Sequence, residues 1–146
     1  ICISKGLSVI EGDAENELGQ FPDKSFDYVI LSQTLQAFYN PVTVLKHLLR
    51  IGKASIVSIP NFGHWKVRTS LFFNGRMPET KSFPYKWYNT PNLHMCTLID
   101  FYELCKKNNI DMKKIIGINN KKTSLINNSN IKLKNFFSEV GIFLIG

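Results

Sequence analysis

The stretch Phe26-Asp27-Tyr28-Val29-Ile30-Leu31-Ser32-Gln33-Thr34-Leu35-Gln36 limits what this chain can fold into more than any other. Its first half is a nearly continuous apolar, β-branched run. A strand reads that way when both faces are buried in a parallel sheet, whereas a half-exposed strand alternates apolar with polar. The run therefore predicts the central strand of an α/β sheet over residues 26–31. It ends in small polar side chains. In open α/β sheets, ligands sit beyond the carboxyl ends of the strands, where strand order reverses. The chemistry of the chain is expected from Ser32 to Gln36.

The flanking residues extend this reading. Phe21-Pro22-Asp23-Lys24-Ser25 is a turn, with Pro fixing φ and Asp supplying local hydrogen bonds. Asn40-Pro41 opens a helix, with Asn as N-cap and Pro at the first helical position. Val42, Leu45, Leu48 and Leu49 share one face of it, and Gly52 ends it. Ala54 to Ile59 is the next strand, closed by Pro60. A strand, a helix and a second strand of this kind make a right-handed crossover onto a parallel neighbour. Asn61-Phe62-Gly63-His64-Trp65 then emerges on the same side as Ser32 and Gln33.

Upstream, Ile1 to Lys5 reads as the end of a helix stopped by Gly6, and Leu7 to Ile10 as a short strand. Asp13 lies just past that strand. It either accepts hydrogen bonds from a ligand, such as an adenine amino group, or caps the short turn Ala14 to Leu18. The chain opens on Ile1 with an apolar pattern and no helix start signal, as a chain cut at its amino end would.

Downstream, residues 61–96 mix Lys66, Arg68, Arg76, Lys81 and Lys86 with Trp65, Phe72, Phe73, Phe83, Tyr85, Trp87 and Tyr88. Val67 to Asn74 reads as a short helix stopped at Gly75. Pro78, Pro84 and Pro91 break the remainder into loop. A long loop beside strand ends is a lid or a binding surface. Basic and aromatic residues together also stack nucleobases; a lid packed by its aromatics is the favoured reading. Thr97 to Asp100 resembles a capping box, with Asp in place of Glu or Gln. It starts a helix, Leu98 to Asn108, that buries Leu98, Phe101, Tyr102 and Cys105. Asp111 to Ile118 is a strand, Asn119 to Asn135 a mobile Asn/Lys-rich loop, and Phe136 to Ile145 the last strand, antiparallel to 111–118. The 146 residues are expected to form one domain, 1–146, with a real core and no internal repeat.

Composition excludes several classes. No apolar run is long enough to span a bilayer and no charged-then-apolar leader opens the chain, so the cytoplasm is the default expectation. The formal charge of +7 invites a nucleic-acid reading. Much of the excess lies in Lys106 to Lys134, crowded with Asn and Ile, which reads as a solvated basic face instead. Cys2, Cys96 and Cys105 are odd in number and form no CxxC pair. They are expected to be reduced thiols, two of them buried. No glycine-rich phosphate loop, no HExxH and no serine elbow occurs, and His94 with Cys96 is too sparse for a metal site. His64 and His94 flank the aromatic loop. Each is either an acid or base near neutral pH or a structural hydrogen-bonding group.

Four strings carry a resemblance. Residues 21–36 are similar to the central segment of the MetW family of methionine biosynthesis proteins. So are Pro60-Asn61-Phe62-Gly63-His64-Trp65, Gly75-Arg76-Met77-Pro78 and Trp87-Tyr88-Asn89-Thr90-Pro91-Asn92-Leu93-His94-Met95-Cys96-Thr97. The similarity runs to about residue 110 and partly returns near Val140 to Ile145. It implies an α/β, Rossmann-like class I S-adenosylmethionine-dependent methyltransferase fold, whose seven strands are ordered 3-2-1-4-5-7-6. On that scheme the five strands here are the third to the seventh. The sheet is partial, lacks its first two strands, ends in an antiparallel hairpin, and leaves a gap between residues 7–10 and 26–31. The family's glycine-rich cofactor loop has no counterpart.

Carried over by position, Asp13 and Ala14 bracket the adenine of S-adenosylmethionine, and Ser32 and Gln33 line its pocket. Binding without the glycine-rich loop is expected to be poor. Related methyltransferases often carry Glu-His where this chain has Gln36-Ala37, so a common pocket imidazole is absent. The resemblance further implies action with homoserine O-acetyltransferase, as a partner needed for its activity. The alternative from the enzyme class is a small-molecule methyltransferase, in which His64 or His94 takes a proton from the acceptor.

Overall fold

The computed structural model describes residues 3–6 and 8–146. Five strands form one sheet: β1 (Phe26–Ser32), β2 (Gly52–Pro60), β3 (Met112–Asn119), β4 (Lys122–Ile126) and β5 (Val140–Ile145). Their spatial order is β1-β2-β5-β3-β4. β1 and β2 are parallel; every other pairing is antiparallel. Five helices accompany them: α1 (Ala14–Glu17), α2 (Pro41–Ile51), α3 (Trp65–Asn74), α4 (Leu98–Lys107) and α5 (Ile131–Phe137).

The β1–α2–β2 crossover forms as expected. Pro41 occupies the first turn of α2, and Val44, Leu45, Leu48 and Ile51 are buried along one stripe. Each buried aliphatic side chain of this kind contributes roughly 1.5–3 kcal/mol. Asn40 stands at the N-cap position without a side-chain bond. The Glu15 carboxylate instead ties down the chain entering the helix, accepting from the Tyr39 N–H at 3.0 Å and the Asn40 N–H at 2.6 Å. The capping box of α4 is complete: Thr97 Oγ1 accepts from the Asp100 N–H and Asp100 accepts from the Thr97 N–H. Of the four α4 residues expected inside, Leu98, Phe101 and Cys105 are buried and Tyr102 is half-buried. Its hydroxyl reaches out to Asn128 Oδ1.

Alternation along the strands separates two faces of the sheet. Val57, Ile115, Ile126, Phe143 and Ile145 point to one side and are buried, in a cluster with Val44, Leu45, Leu48, Phe101, Cys105 and Ile131 of the helices. The Phe101 and Phe143 rings meet edge to face at 4.5 Å. The opposite face runs through Ile30, Ile56 and Leu144 on one rung and Ile142 and Ile116 on the next. Ile30 and Tyr28 are 69% and 64% exposed. The expectation that both faces of the first strand are buried is therefore corrected. β1 is an edge strand, and its apolar run is uncovered on one side.

Four further expectations are revised. Residues 8–10 form no strand, and Leu7 lies outside the described residues. A strand needs a neighbour to take its backbone hydrogen bonds, and no described residue offers one there. The gap arrangement thus gives way to a sheet whose β1, β2, β5 and β3 follow the fourth, fifth, seventh and sixth places of the implied scheme. The segment 119–135 is not loop: Asn120 and Lys121, both at positive φ, turn β3 back into β4, and α5 follows. The last strand begins at Val140, because Phe136 and Phe137 end α5. Finally, the expected helix end is a single 3-10 turn, Ile3–Lys5, followed by Gly6 at φ +73°; Ile1 and Cys2 lie outside the described residues.

Candidate functional site

The polar tip of β1 is tied to both neighbours. Gln33 adopts φ 50°, and its N–H donates to the Ser58 carbonyl at 2.9 Å and to Ser58 Oγ at 3.1 Å. Thr34 Oγ1 donates to the Ser32 carbonyl, and Gln36 Nε2 donates to the Gln33 carbonyl at 2.8 Å. The Gln36 carbonyl in turn accepts from the N–H groups of Leu93 and His94, at 2.9 and 3.0 Å. The tip of β1 and the far end of the 61–96 excursion therefore share one crevice, as the crossover topology requires.

That crevice holds an apolar cavity of about 320 Å³ lined by Leu35, Gln36, Pro41, Val42, His94 and Phe101, among others. Gln36 is buried, and its Oε1 has no hydrogen-bond partner. Cys96 lines the same cavity, half-buried, and burial pushes its thiol up to about 11, with Asp100 adding to the shift. The buried Cys105 thiol is pushed up to about 12 by desolvation. Both cysteines are free, as expected, though only Cys105 is fully inside.

The two histidines are not brought together. His94 is exposed at the mouth of the apolar cavity. His64 is buried at the N-cap of α3 and lines a different cavity of about 230 Å³, walled by charged and apolar side chains alike, Asn61, Lys66, Val67, Lys81 and Glu139 among them. Its Nδ1 accepts from the Lys66 N–H at 3.4 Å. Burial lowers the His64 imidazole below its ordinary value; Glu139 and the Phe137 carbonyl pull it up, and Lys66 adds to the lowering. Lys66 Nζ lies 3.5 Å from Glu139 Oε1.

Asp13 behaves as a cap. Its Oδ1 accepts from the Glu15 N–H at 3.0 Å and its Oδ2 from Asn16 Nδ2 at 2.6 Å. Ala14 is the first residue of α1 and is exposed. Ser32 and Gln33 are exposed too. Both Asp13 oxygens are thus engaged within its own turn, and Ala14 offers no side-chain acceptor. Among the described residues no run of glycines supplies the backbone N–H cradle that a cofactor's charged end requires. These four residues do not by themselves fit S-adenosylmethionine.

Sequence reasoning missed the buried centre at Asn61, in the wall of the cavity beside α3. Asn61 Nδ2 donates to the carbonyls of Asn135 and Ser138, each at 2.7 Å, and its Oδ1 accepts from Gly63 and Leu98. An Asn directly after a closing Pro was the only signal; Asn135 is one of many in its tract.

The MetW family model, "Methionine biosynthesis protein MetW", matches residues 1–145. The chain belongs to the MetW family. A MetW relative, the bifunctional methionine biosynthesis protein MetXA/MetW of Rhodopirellula baltica, is 39% identical over 107 residues, 73% of this chain. The chain spans 17% of that relative's length. Among solved structures, a S-adenosylmethionine-dependent methyltransferase of Thermotoga maritima, described as a possible histamine N-methyltransferase, superposes with a TM-score of 0.68 at 18% identity. The match covers 99% of this chain and 66% of that one. A S-adenosylmethionine-dependent methyltransferase of Archaeoglobus fulgidus matches with a TM-score of 0.58 at 13% identity, over 97% of this chain and 68% of that one. This MetW chain thus has a methyltransferase-like α/β fold.

Proposed function

We propose that this MetW-family chain is an accessory protein of cytoplasmic methionine biosynthesis that docks on homoserine O-acetyltransferase. One observation carries the reading. Phe72 and Phe73 at the end of α3, and Trp87 and Tyr88 in the following loop, are 83%, 77%, 72% and 66% exposed. A protein surface does not ordinarily hold so many uncovered large aromatics in one segment, and contiguous apolar patches mark interaction sites. Aromatics and arginine are the residue types that dominate interface energetics, and Arg76 is exposed in the same segment. The name of the R. baltica relative joins MetXA and MetW in one protein, a fusion that makes sense where two activities work in contact.

The test is co-purification of the full-length protein with the acyltransferase, and turnover of that enzyme with and without it. Binding and a rise in turnover are expected. The double substitution Phe72→Ala with Trp87→Ala is expected to abolish both while leaving the thermal melt unchanged. If wild-type protein neither binds nor activates, the reading fails.

A second reading, a small-molecule methyltransferase, draws on the methyltransferase-like fold and on the apolar cavity that Gln36 lines. S-adenosylmethionine supplies an electrophilic methyl group, and the transfer needs mainly alignment. The four candidate positions do not by themselves fit that cofactor, so no transfer step is assigned to them. Transfer of labelled methyl from the cofactor to an extract metabolite would favour this reading over docking.

A further inference from the structure

The aromatic surface after α3 is held in shape by the chain around it. Gly75, at φ +59°, ends α3 and turns the chain away from the helix axis. Thr80 and Phe83 exchange two backbone hydrogen bonds, at 2.9 and 3.1 Å, and the buried Phe83 ring meets Phe62 edge to face at 5.5 Å. The far end of the loop is pinned where Leu93 and His94 donate to the Gln36 carbonyl. Between these anchors residues 86–88 come back to residues 75–79, and together they line an open groove of about 530 Å³. Met77, Trp87 and Tyr88 supply its apolar lining, Arg76 and Lys86 two cations and Glu79 one carboxylate. The Trp87 and Tyr88 rings meet edge to face at 5.6 Å.

Charge decides what covers this groove. A partner that buries Trp87 and Tyr88 also takes Arg76 and Lys86 out of water, because all four line the same groove. A cation that loses its water without gaining a counter-charge is strongly disfavoured. Neither cation joins an ion pair among the described residues, and Glu79 alone can offset only one of them. Residues 72–92 as a whole carry Arg76, Lys81 and Lys86 against Glu79. The occupant therefore brings carboxylates as well as an apolar centre. A nucleic acid would bring anions too, but its phosphates would meet Glu79, and large aromatics grouped with Met and Arg are the composition of a protein interface. We propose that the groove docks an acidic protein surface, an apolar anchor resting on Met77 and Trp87 with Asp or Glu side chains around it pairing with Arg76 and Lys86. On the docking reading above, on which this rests, that surface belongs to homoserine O-acetyltransferase.

The experiment measures binding of the full-length protein to immobilised homoserine O-acetyltransferase as sodium chloride rises from about 50 to about 500 mM. The association rate is expected to fall at least about tenfold over that range. Arg76→Glu with Lys86→Glu is expected to weaken binding at low salt at least about tenfold and to flatten the salt dependence. Both positions are exposed, so the melt should not move. Lys113→Glu with Lys114→Glu changes the net charge by the same amount at exposed positions that line a different cavity. That pair is expected to weaken binding less than about threefold. Docking that ignores salt and the groove reversal overturns this proposal and leaves the docking reading standing. Equal losses from the two pairs overturn it as well, since overall charge would then suffice. A single-stranded oligonucleotide that displaces the acyltransferase and loses affinity on the groove reversal overturns it in favour of nucleic acid. Absence of any docking by the wild-type protein ends the docking reading itself, and this proposal with it.

Discussion

Asn61 and Asn135 lie 74 positions apart in sequence and are joined by a 2.7 Å hydrogen bond from Asn61 Nδ2 to the Asn135 carbonyl. Their side-chain oxygens converge on one donor, the N–H of Leu98, at 3.3 and 3.0 Å. The end of β2, the start of α4 and the end of α5 are thereby locked at a single buried point. The cost of losing it is asymmetric. Asn61→Ala orphans the carbonyls of Asn135 and Ser138 and the Gly63 N–H, whereas Asn135→Ala leaves Leu98 still bonded to Asn61. With roughly 1–3 kcal/mol for each buried group left unsatisfied, the three orphans of Asn61→Ala should cost at least about 3 kcal/mol in all, and Asn135→Ala, which leaves Leu98 bonded, clearly less. Urea unfolding of the two variants checks this; equal costs would show that the geometry is not what holds the three elements.

The bare face of the sheet makes a contrasting claim. Ile30→Lys and Tyr28→Lys should change stability by less than about 0.5 kcal/mol, since both side chains are already in solvent. Leu45→Ala, on the buried side, should cost about 2–5 kcal/mol. The lysine variants should also bind less of an apolar dye such as ANS and scatter less light at high concentration.

That contrast explains which parts of the fold were readable from residues alone. Local signals read well: Pro41, Gly75 and the Thr97–Asp100 box each act within one turn of chain, and each stands where expected. The residues of the first strand were placed correctly, but neither its central position nor its burial was. An apolar, β-branched run tells that a strand can be covered on both faces, and coverage depends on elements elsewhere. The Asn/Lys-rich tract failed for the opposite reason. Its helix α5 buries just Ile131 and Asn135, and β4 is held by pairing with β3, so neither carries a strong period of its own. At the candidate site, the positions of Ser32, Gln33 and His94 follow from topology, whereas the Lys66–Glu139 pair needs the return of β5 and is invisible in either segment alone.

His64 makes stability depend on pH in one direction. Its imidazole is held below the ordinary value of 6.5 by burial. The unfolded chain therefore binds a proton more readily than the native one, and stability rises with pH across that interval. The contribution is complete above the ordinary histidine range and is lost as pH falls through the native value. Glu139 opposes the shift and Lys66 reinforces it, so Glu139→Gln should steepen the loss and His64→Asn should flatten it. Denaturant midpoints measured between pH 5 and pH 8, an interval spanning the ordinary histidine range of roughly 6–7, settle the sign.

The two described thiols supply the last test. Cys96 is held up to about 11 and Cys105 to about 12. The thiolate is the reacting species, so near neutral pH both are protonated almost entirely and should alkylate far more slowly than an unfolded cysteine, whose thiol sits at about 8.5. Cys96 borders the apolar cavity and Cys105 is sealed on the buried face of α4, so the two should separate in rate, Cys96 first. Peptide mass spectrometry after timed iodoacetamide treatment resolves them. A molecule that fills the cavity beside Gln36 should slow Cys96 while leaving Cys105 unchanged, because Cys105 responds only to opening of the core. Equal protection of both by such a molecule would mean that labelling proceeds through global unfolding, and that the cavity does not control access to Cys96.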